Sequence, residues 1–153
     1  MKNLILKNDR ATNMLGQKIS EIILNSNKQD IEIHLQGDLG AGKTFITRSI
    51  IKNSGWKNLV KSPTYTLCEE YDLGEILFLH IDLYRTNEAQ DIDIFDLNRG
   101  SHKKKIILIE WSERLQFERK FDLKINFFHY ENKRKINITY GTDIFKALEK
   151  NYV

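Results

Sequence analysis

The chain has 153 residues, of which 41% are hydrophobic and 29% charged; this balance is typical of a folded soluble protein and excludes a disordered one. That length suits a single domain over residues 1–153. The net charge of +3 permits an anionic ligand but does not by itself indicate nucleic-acid binding. The lone Cys68 excludes an internal disulfide, and no apolar run has the length of a membrane span. We therefore expect a cytoplasmic protein without membrane contact.

The first part of the chain predicts a strand followed by an amphipathic helix. Asn3 to Lys7 forms the short strand, and Thr12 suits the N-cap or the first turn of the helix. Apolar residues then recur at spacings of three and four as far as Asn25, at Leu15, Ile19, Ile22 and Ile23. This spacing predicts one buried helix face.

A phosphate-binding motif follows the second predicted strand, Ile31 to Leu35. Residues 37–44 read G-D-L-G-A-G-K-T and fit the pattern G-x-x-x-x-G-K-[ST]. The glycines let backbone N–H groups turn toward phosphate oxygens, and the helix predicted to begin near Thr44 directs its positive end at the same anion. Lys43 can reach the β- and γ-phosphates, and the Thr44 hydroxyl can ligate Mg²⁺. The motif therefore predicts a triphosphate site.

Asn27 to Asp30 has the letters of the guanine-reading motif N-K-x-D. A guanine reader belongs at the carboxyl end of a strand, on the nucleotide side of the sheet. Asp30 instead comes just before the strand that feeds the phosphate motif, so it belongs at the opposite edge. ATP is therefore favoured over GTP.

The only proline, Pro63, lies in the hydroxyl-rich run Ser62 to Thr66. Proline stiffens this connection, and many nucleotide hydrolases carry a loop that senses the γ-phosphate at this point in the chain. From the residues alone, we prefer the simpler interpretation that this run leads into an ordinary strand, which is predicted from Thr64 to Tyr71.

Two acids follow the next buried strands. Asp72 to Glu75 predicts a turn into a strand that leads to Asp82, and Lys105 to Ile109 predicts a central strand that ends at Glu110. Ligands of open α/β sheets bind outside the carboxyl ends of strands, where an acid can hold Mg²⁺ or a water. At least one of the two acids should serve the metal, and Glu110 has the cleaner strand before it.

The remaining segments complete the predicted fold. Thr86 to Asn98 predicts a helix, Phe121 to Tyr130 and Lys135 to Tyr140 predict a hairpin, and Thr142 to Lys150 predicts a closing helix. Strands alternate with helices early and pair as hairpins later. This order predicts the α/β class: a single-domain P-loop NTPase sandwich, with a mixed, mostly parallel sheet, helices on both faces and a C-terminal hairpin.

Two short basic runs, Lys103 to Lys105 and Lys133 to Lys135, can add contacts to RNA. No aromatic-rich RNA-binding signature accompanies them. Any contact with RNA is therefore expected to be indirect or weak.

Four segments in this order resemble the TsaE (YjeE) family of small bacterial ATPases, which are needed for the threonylcarbamoyl modification at adenosine 37 of tRNA. They are Gly37–Thr44, Ser62–Leu67, His80–Arg85 and Ile109–Glu113, which read G-D-L-G-A-G-K-T, S-P-T-Y-T-L, H-I-D-L-Y-R and I-E-W-S-E. The phosphate motif alone is generic, but the combination is highly specific. The resemblance spans nearly the whole chain.

The resemblance implies a role for each matching position. ATP would be bound by Asp38, Leu39, Gly40, Ala41, Gly42, Lys43 and Thr44 around its phosphates, with Thr12 and Arg134 on the adenine and ribose side. Thr44 and Glu110 would hold Mg²⁺, Asp82 would serve metal or water, and Ser62 to Thr66 would be a switch-like loop. The family's partners are TsaD and TsaB, and ATP hydrolysis is thought to reset their complex between turnovers.

The preferred hypothesis is a slow ATPase within the tRNA threonylcarbamoylation machinery. Lys43 and the loop N–H groups would stabilise charge on the γ-phosphate. The attacking water would be positioned by Asp82, or by Thr64 with Thr66. The isolated protein should hydrolyse ATP only weakly, because its best internal candidate for an arginine finger, Arg85, is not a strong one.

Two other functions stay open. A small-molecule kinase would need a lid that carries arginines, and residues 86–104 contain only Arg99. A non-catalytic binding module gated by nucleotide would keep its partner function without Asp82 or Glu110. The sequence departs from the family at Ser112, where proline is usual, and residues 86–104 carry little family signature. These departures concern partner contacts more than the nucleotide site.

Overall fold

A seven-stranded mixed sheet organises the chain. The computed structural model describes residues 1–63, 66–85, 97 and 100–150. The strands are β1 Lys2–Leu6, β2 Asp30–Gly37, β3 Cys68–Asp72, β4 Ile76–Asp82, β5 Lys104–Glu110, β6 Leu123–Tyr130 and β7 Lys133–Tyr140. The helices are α1 Asp9–Asn25 and α2 Lys43–Asn53, with 3-10 helices at Ser112–Arg114 and Asp143–Glu149.

The strand order is β1-β7-β6-β2-β5-β4-β3. The central strands β6, β2, β5 and β4 are parallel to their neighbours within this group, whereas β7, β1 and β3 pair antiparallel at the two sides. This arrangement confirms the mixed sheet and the C-terminal hairpin. It also brings the carboxyl ends of β2, β4 and β5 to one edge.

The helices α1 and α2 pack against each other and against one face of the sheet. Their apolar residues join alternate residues of the central strands in the larger core, which includes Leu15, Ile19, Ile23, Ile46, Ile50, Ile33, Leu35, Phe78, Ile106 and Leu108. The intervening residues Ile107 and Ile109 of β5 face a second core with Leu97. The strand β5 is therefore buried on both faces, as predicted. The predicted helix Thr86–Asn98 falls outside the described residues except at Leu97, so helices on both faces stay a prediction.

The structure selects the first turn for Thr12, moves the start of β3, and defines the type of the closing helix. The N-cap of α1 is Asn8, whose Oδ1 accepts a hydrogen bond from the Ala11 N–H at 2.9 Å, so Thr12 lies within the first turn. The strand β3 begins at Cys68 because Leu67 has a left-handed φ of 61° and donates its N–H to the Pro63 carbonyl. The closing helix is a 3-10 helix.

The N-K-x-D segment lies where its chain position predicted. Asp30 is the first residue of β2, and the phosphate motif begins at Gly37, the last residue of the same strand. Lys28 pairs with the buried carboxylate of Asp122 at this amino-terminal edge. The segment is therefore held away from the phosphate motif.

A half-buried ion pair stabilises the face of β2 that points away from α1 and α2. Arg119 donates two hydrogen bonds to Glu32, with N···O distances of 2.8 and 2.7 Å, and His34 Nε2 lies 2.7 Å from Glu32 Oε1. Burial alone would raise the pKa of Glu32, but the hydrogen bonds from Arg119 and His34 outweigh it, and the pKa falls below its ordinary 4.5. The ionised carboxylate therefore stabilises the fold fully above about pH 4.5, and this contribution is lost as the pH falls through the lowered pKa.

Glu32→Gln should lower the free energy of unfolding by about 2 kcal/mol at pH 7, since hydrogen bonds to charged groups contribute about that much. The difference from the parent should shrink when the pH falls below about 4.5. Urea unfolding at pH 7 and pH 3.5 measures both values, with the exposed Glu75→Gln as control. An equal loss at the two pH values would contradict the assignment.

Candidate functional site

The loop between β2 and α2 turns through three glycines with positive φ. Gly37, Gly40 and Gly42 have φ values of 130°, 73° and 120°, which residues with a Cβ rarely adopt. A Cβ at Gly37 would also lie 2.4 Å from the Phe127 carbonyl oxygen. The loop therefore needs glycine at these turns and ends at the first residue of α2.

Lys43 is the first residue of α2, and its side chain is buried beneath the loop. Its Nζ donates to the carbonyl oxygens of Gly37 and Asp38, the latter at 2.7 Å. Burial lowers the pKa of this amine, while the carboxylates of Glu110 and Glu113 oppose the fall. The amine thus lies in the field of acids at the strand ends.

The two predicted acids are adjacent. Asp82 and Glu110 are the last residues of β4 and β5 and are register partners in this parallel pair. Side chains alternate between the two faces of a strand, so Asp82 shares a face with Phe78, and Glu110 shares a face with Leu108. Phe78 and Leu108 pack in the core that contains α2. Burial raises the pKa of Asp82 and the charge of Glu110 adds to the rise, against a hydrogen bond from the Tyr84 N–H at 2.9 Å.

The Glu110 carboxylate is buried and only half satisfied. Its Oε2 lies 3.0 Å from His80 Nε2, but its Oε1 has no hydrogen-bond partner within the described part of the chain. Buried polar atoms are almost always paired, so this carboxylate oxygen is available to a metal ion or to a water. His80 was not predicted as a site residue, although it begins the motif that contains Asp82.

These oxygens fit Mg²⁺ by their chemistry. Magnesium prefers hydroxyl and carboxylate oxygens and is bound through one or two protein ligands together with phosphates. Thr44 lies in the first turn of α2, the helix that follows β2. The unpaired Glu110 oxygen is at the end of β5, the strand that pairs with β2. The predicted metal pair, Thr44 and Glu110, is therefore compatible with this ion.

A cleft of about 570 Å³ lies over the loop. Its lining combines the glycine loop, one of the two strand-end acids and the proline segment: Leu39, Gly40, Gly42, Lys43, Thr44, Phe45, Ser62, Asp82, Tyr84, Arg85, Trp111 and Arg134. Ser62 thus brings the proline loop to the site, against the simple strand entry preferred from the residues alone. Thr64, which was predicted to help position the attacking water, lies outside the described residues.

Thr12 and Arg134 meet although 122 positions separate them. The Arg134 Nη1 donates to Thr12 Oγ1 at 2.8 Å and lies 2.8 Å from Asp9 Oδ1. Its guanidinium lies 5.0 Å from the ring centroid of Phe45. The two predicted residues are therefore hydrogen-bonded to each other, and Arg134 lines the cleft.

An aromatic wall closes the side of the cleft beside Lys43. The rings of Tyr84 and Trp111 are 4.9 Å apart, and the Arg114 guanidinium lies 5.2 Å from each ring. The Lys43 Nζ lies 4.0 Å from the Trp111 centroid, and Trp111 has a left-handed φ of 59°. Sequence reasoning assigned no role to Tyr84 or Arg114. The only available signal was the place of Tyr84 in the motif that contains Asp82.

The fold and the site define an α/β protein with a glycine-rich loop at the carboxyl edge of its parallel strands. A sequence model of the family described as "Threonylcarbamoyl adenosine biosynthesis protein TsaE" matches residues 6–136. The chain belongs to the TsaE family, as its four motifs predicted.

Individual relatives agree with this assignment. The chain is similar to the tRNA threonylcarbamoyladenosine biosynthesis protein TsaE of Haemophilus influenzae, with 37% identity over 87% of this chain and 85% of the relative. It is 35% identical to the Aquifex aeolicus protein of the same name, over 90% of this chain and 96% of the relative. The crystal structure of Bacillus subtilis YdiB shares the fold, with a TM-score of 0.70 and 22% identity over 99% of this chain and 93% of that one.

None of the helices in the described ranges combines the length and the apolar character of a membrane span.

Proposed function

We propose that this protein is a magnesium-dependent ATPase that supports the N6-threonylcarbamoyladenosine modification of tRNA. The observation that carries the proposal is the meeting of the glycine loop, Lys43 and the acid pair Asp82–Glu110 at one edge of the sheet in a TsaE-family chain. A loop alone would support binding. Acids beside it add the means for metal-assisted hydrolysis.

In this proposal the residues from Asp38 to Thr44 bind the phosphates of ATP. The N–H groups of the loop and the first turn of α2 are directed at the anion, and the Lys43 amine bonds the β- and γ-phosphates. Lys43 now donates to two loop carbonyls, so phosphate oxygens would replace these acceptors. Thr12 and Arg134 would contact the adenine and ribose side.

Thr44 and Glu110 would hold Mg²⁺. When bound, this ion would neutralise charge on the β- and γ-phosphates. Glu110 supports this role because one buried oxygen is unpaired within the described residues. Asp82 would orient the attacking water, and its own orientation is fixed by the Tyr84 N–H.

The proposed partners are TsaD and TsaB, with hydrolysis resetting their complex and tRNA contacted indirectly or weakly. Arg85 lines the cleft and is the internal candidate for stabilising charge on the transferred phosphate. The activity of the isolated chain should therefore be weak and rise with the partners. A protein that serves tRNA modification would act in the cytoplasm.

Deletion of the gene tests the biological role. We expect threonylcarbamoyladenosine, measured by mass spectrometry of digested tRNA, to fall strongly and to return when the wild-type chain is expressed. An unchanged level in the deletion strain, in a genome with no second TsaE-family gene, would contradict the proposal.

A further inference from the structure

The buried hydrogen bond between His80 and Glu110 has no role in the function proposed above. His80 lies on β4, has no exposed surface and contacts Glu110 across the parallel pair β4–β5. Its Nε2 is 3.0 Å from Glu110 Oε2. An ionised carboxylate only accepts, so the histidine must donate through Nε2–H.

Each of the two side chains has one further polar atom that forms no hydrogen bond within the described residues. Glu110 Oε1 and His80 Nδ1 are both buried, and neither has a hydrogen-bond partner among residues 1–63, 66–85, 97 and 100–150. Each unpaired buried polar atom costs stability. The hydrogen bond therefore occupies one Glu110 oxygen and leaves the other as an available acceptor.

A second His–Glu pair among the described residues, formed by buried His34 and half-buried Glu32, provides the comparison. His34 Nε2 lies 2.7 Å from Glu32 Oε1, on the opposite face of the sheet. There Arg119 donates to both carboxylate oxygens, so no oxygen of Glu32 is left over. The two pairs share residue types, although Glu32 is less buried than Glu110, and they differ in whether one carboxylate oxygen stays unpaired.

We propose that His80 is a positioning residue that fixes the Glu110 carboxylate through Oε2 and so keeps Oε1 directed at the metal of the ATP site. This inference rests on the function proposed above. By holding one oxygen, the Nε2–H bond reduces the carboxylate to a single orientation before the metal arrives. Partners of this kind that orient metal ligands change metal affinity about 10- to 100-fold when they are removed.

The test is a titration of Mn²⁺ into protein loaded with ADP, with free Mn²⁺ measured by electron paramagnetic resonance. His80→Leu removes the donor and should weaken Mn²⁺ binding about 10- to 100-fold. His80→Gln places an amide nitrogen near the position of Nε2 and should restore most of the affinity. ADP affinity in EDTA should be the same in all variants, because the Nε2–H bond acts on the metal ligand alone.

The matched control is His34→Leu, which breaks the His34–Glu32 pair on the opposite face of the sheet. It should lower the melting temperature without changing Mn²⁺ affinity. If His80→Leu does not fold, His80→Asn replaces it, because the shorter amide cannot reach Oε2 and the same loss is expected.

Wild-type Mn²⁺ affinity in His80→Leu or its Asn substitute would overturn this inference, and so would an equal loss in His80→Gln or in His34→Leu. The absence of ADP-dependent Mn²⁺ binding to the wild type would instead overturn the proposed function, and this inference with it.

Discussion

Replacing Lys43 with alanine should abolish detectable ATP binding at concentrations that saturate the wild type and reduce hydrolysis by about 10²- to 10³-fold, the usual cost of one charge-stabilising donor. The buried amine of Lys43 lies at the first residue of α2 between the loop carbonyls and the strand-end acids. No other lysine is among the residues that line the cleft. The other cations of the lining, Arg85 and Arg134, belong neither to the loop nor to α2, so Lys43 is the cation placed at the loop itself.

Isothermal titration with a non-hydrolysable ATP analogue measures the binding, and a phosphate-release assay measures the turnover. Lys52→Ala is the matched control, because Lys52 is exposed in the last turn of the same helix. It should behave as the wild type in both assays. Binding of ATP to Lys43→Ala with wild-type affinity would show that the loop is not the phosphate site.

Glu110→Gln should separate binding from hydrolysis. The amide keeps the size of the side chain and can still meet His80, but it loses the charge that the buried carboxylate offers to Mg²⁺. We expect hydrolysis to fall about 10²-fold, since metal stabilisation of the transition state is worth several kcal/mol. ATP affinity in EDTA should be unchanged, because the loop and Lys43 remain.

Phosphate release in excess Mg²⁺ and nucleotide binding in EDTA measure the two effects separately, with the exposed Glu75→Gln as control. The same variant also tests the non-catalytic alternative. Expressed in the deletion strain, Glu110→Gln should fail to restore threonylcarbamoyladenosine. Normal tRNA modification without hydrolysis would instead favour a binding module that only needs nucleotide.

Much of this site could be predicted because short-range patterns specify it. The spacing of glycines and Lys43 requires a strand, a turn with positive φ and a helix, and the structure has all three. Asp82 and Glu110 were each predicted to follow a buried strand, and the carboxyl ends of parallel strands share one edge, so their placement at that edge could be predicted. Their pairing as register partners is known only from the structure.

Other contacts depend on packing that the local pattern does not contain. The Arg134–Thr12 bond needs α1 and the last hairpin to approach each other, which the sheet order determines. The role of His80 depends on a diagonal contact to Glu110 and on which atoms stay unpaired. The start of β3 depended on one left-handed residue, Leu67, which has no β-breaking signal of its own.

The most direct test of the central claim is phosphate release from ATP by the purified wild-type protein, in Mg²⁺ and in EDTA, alone and with TsaB and TsaD. We expect slow release that requires Mg²⁺, rises when both partners are present, and falls at least about 10²-fold in Lys43→Ala and Glu110→Gln. No release above the level of Lys43→Ala, with the partners present and Mg²⁺ in excess, would contradict the claim that this cleft hydrolyses ATP.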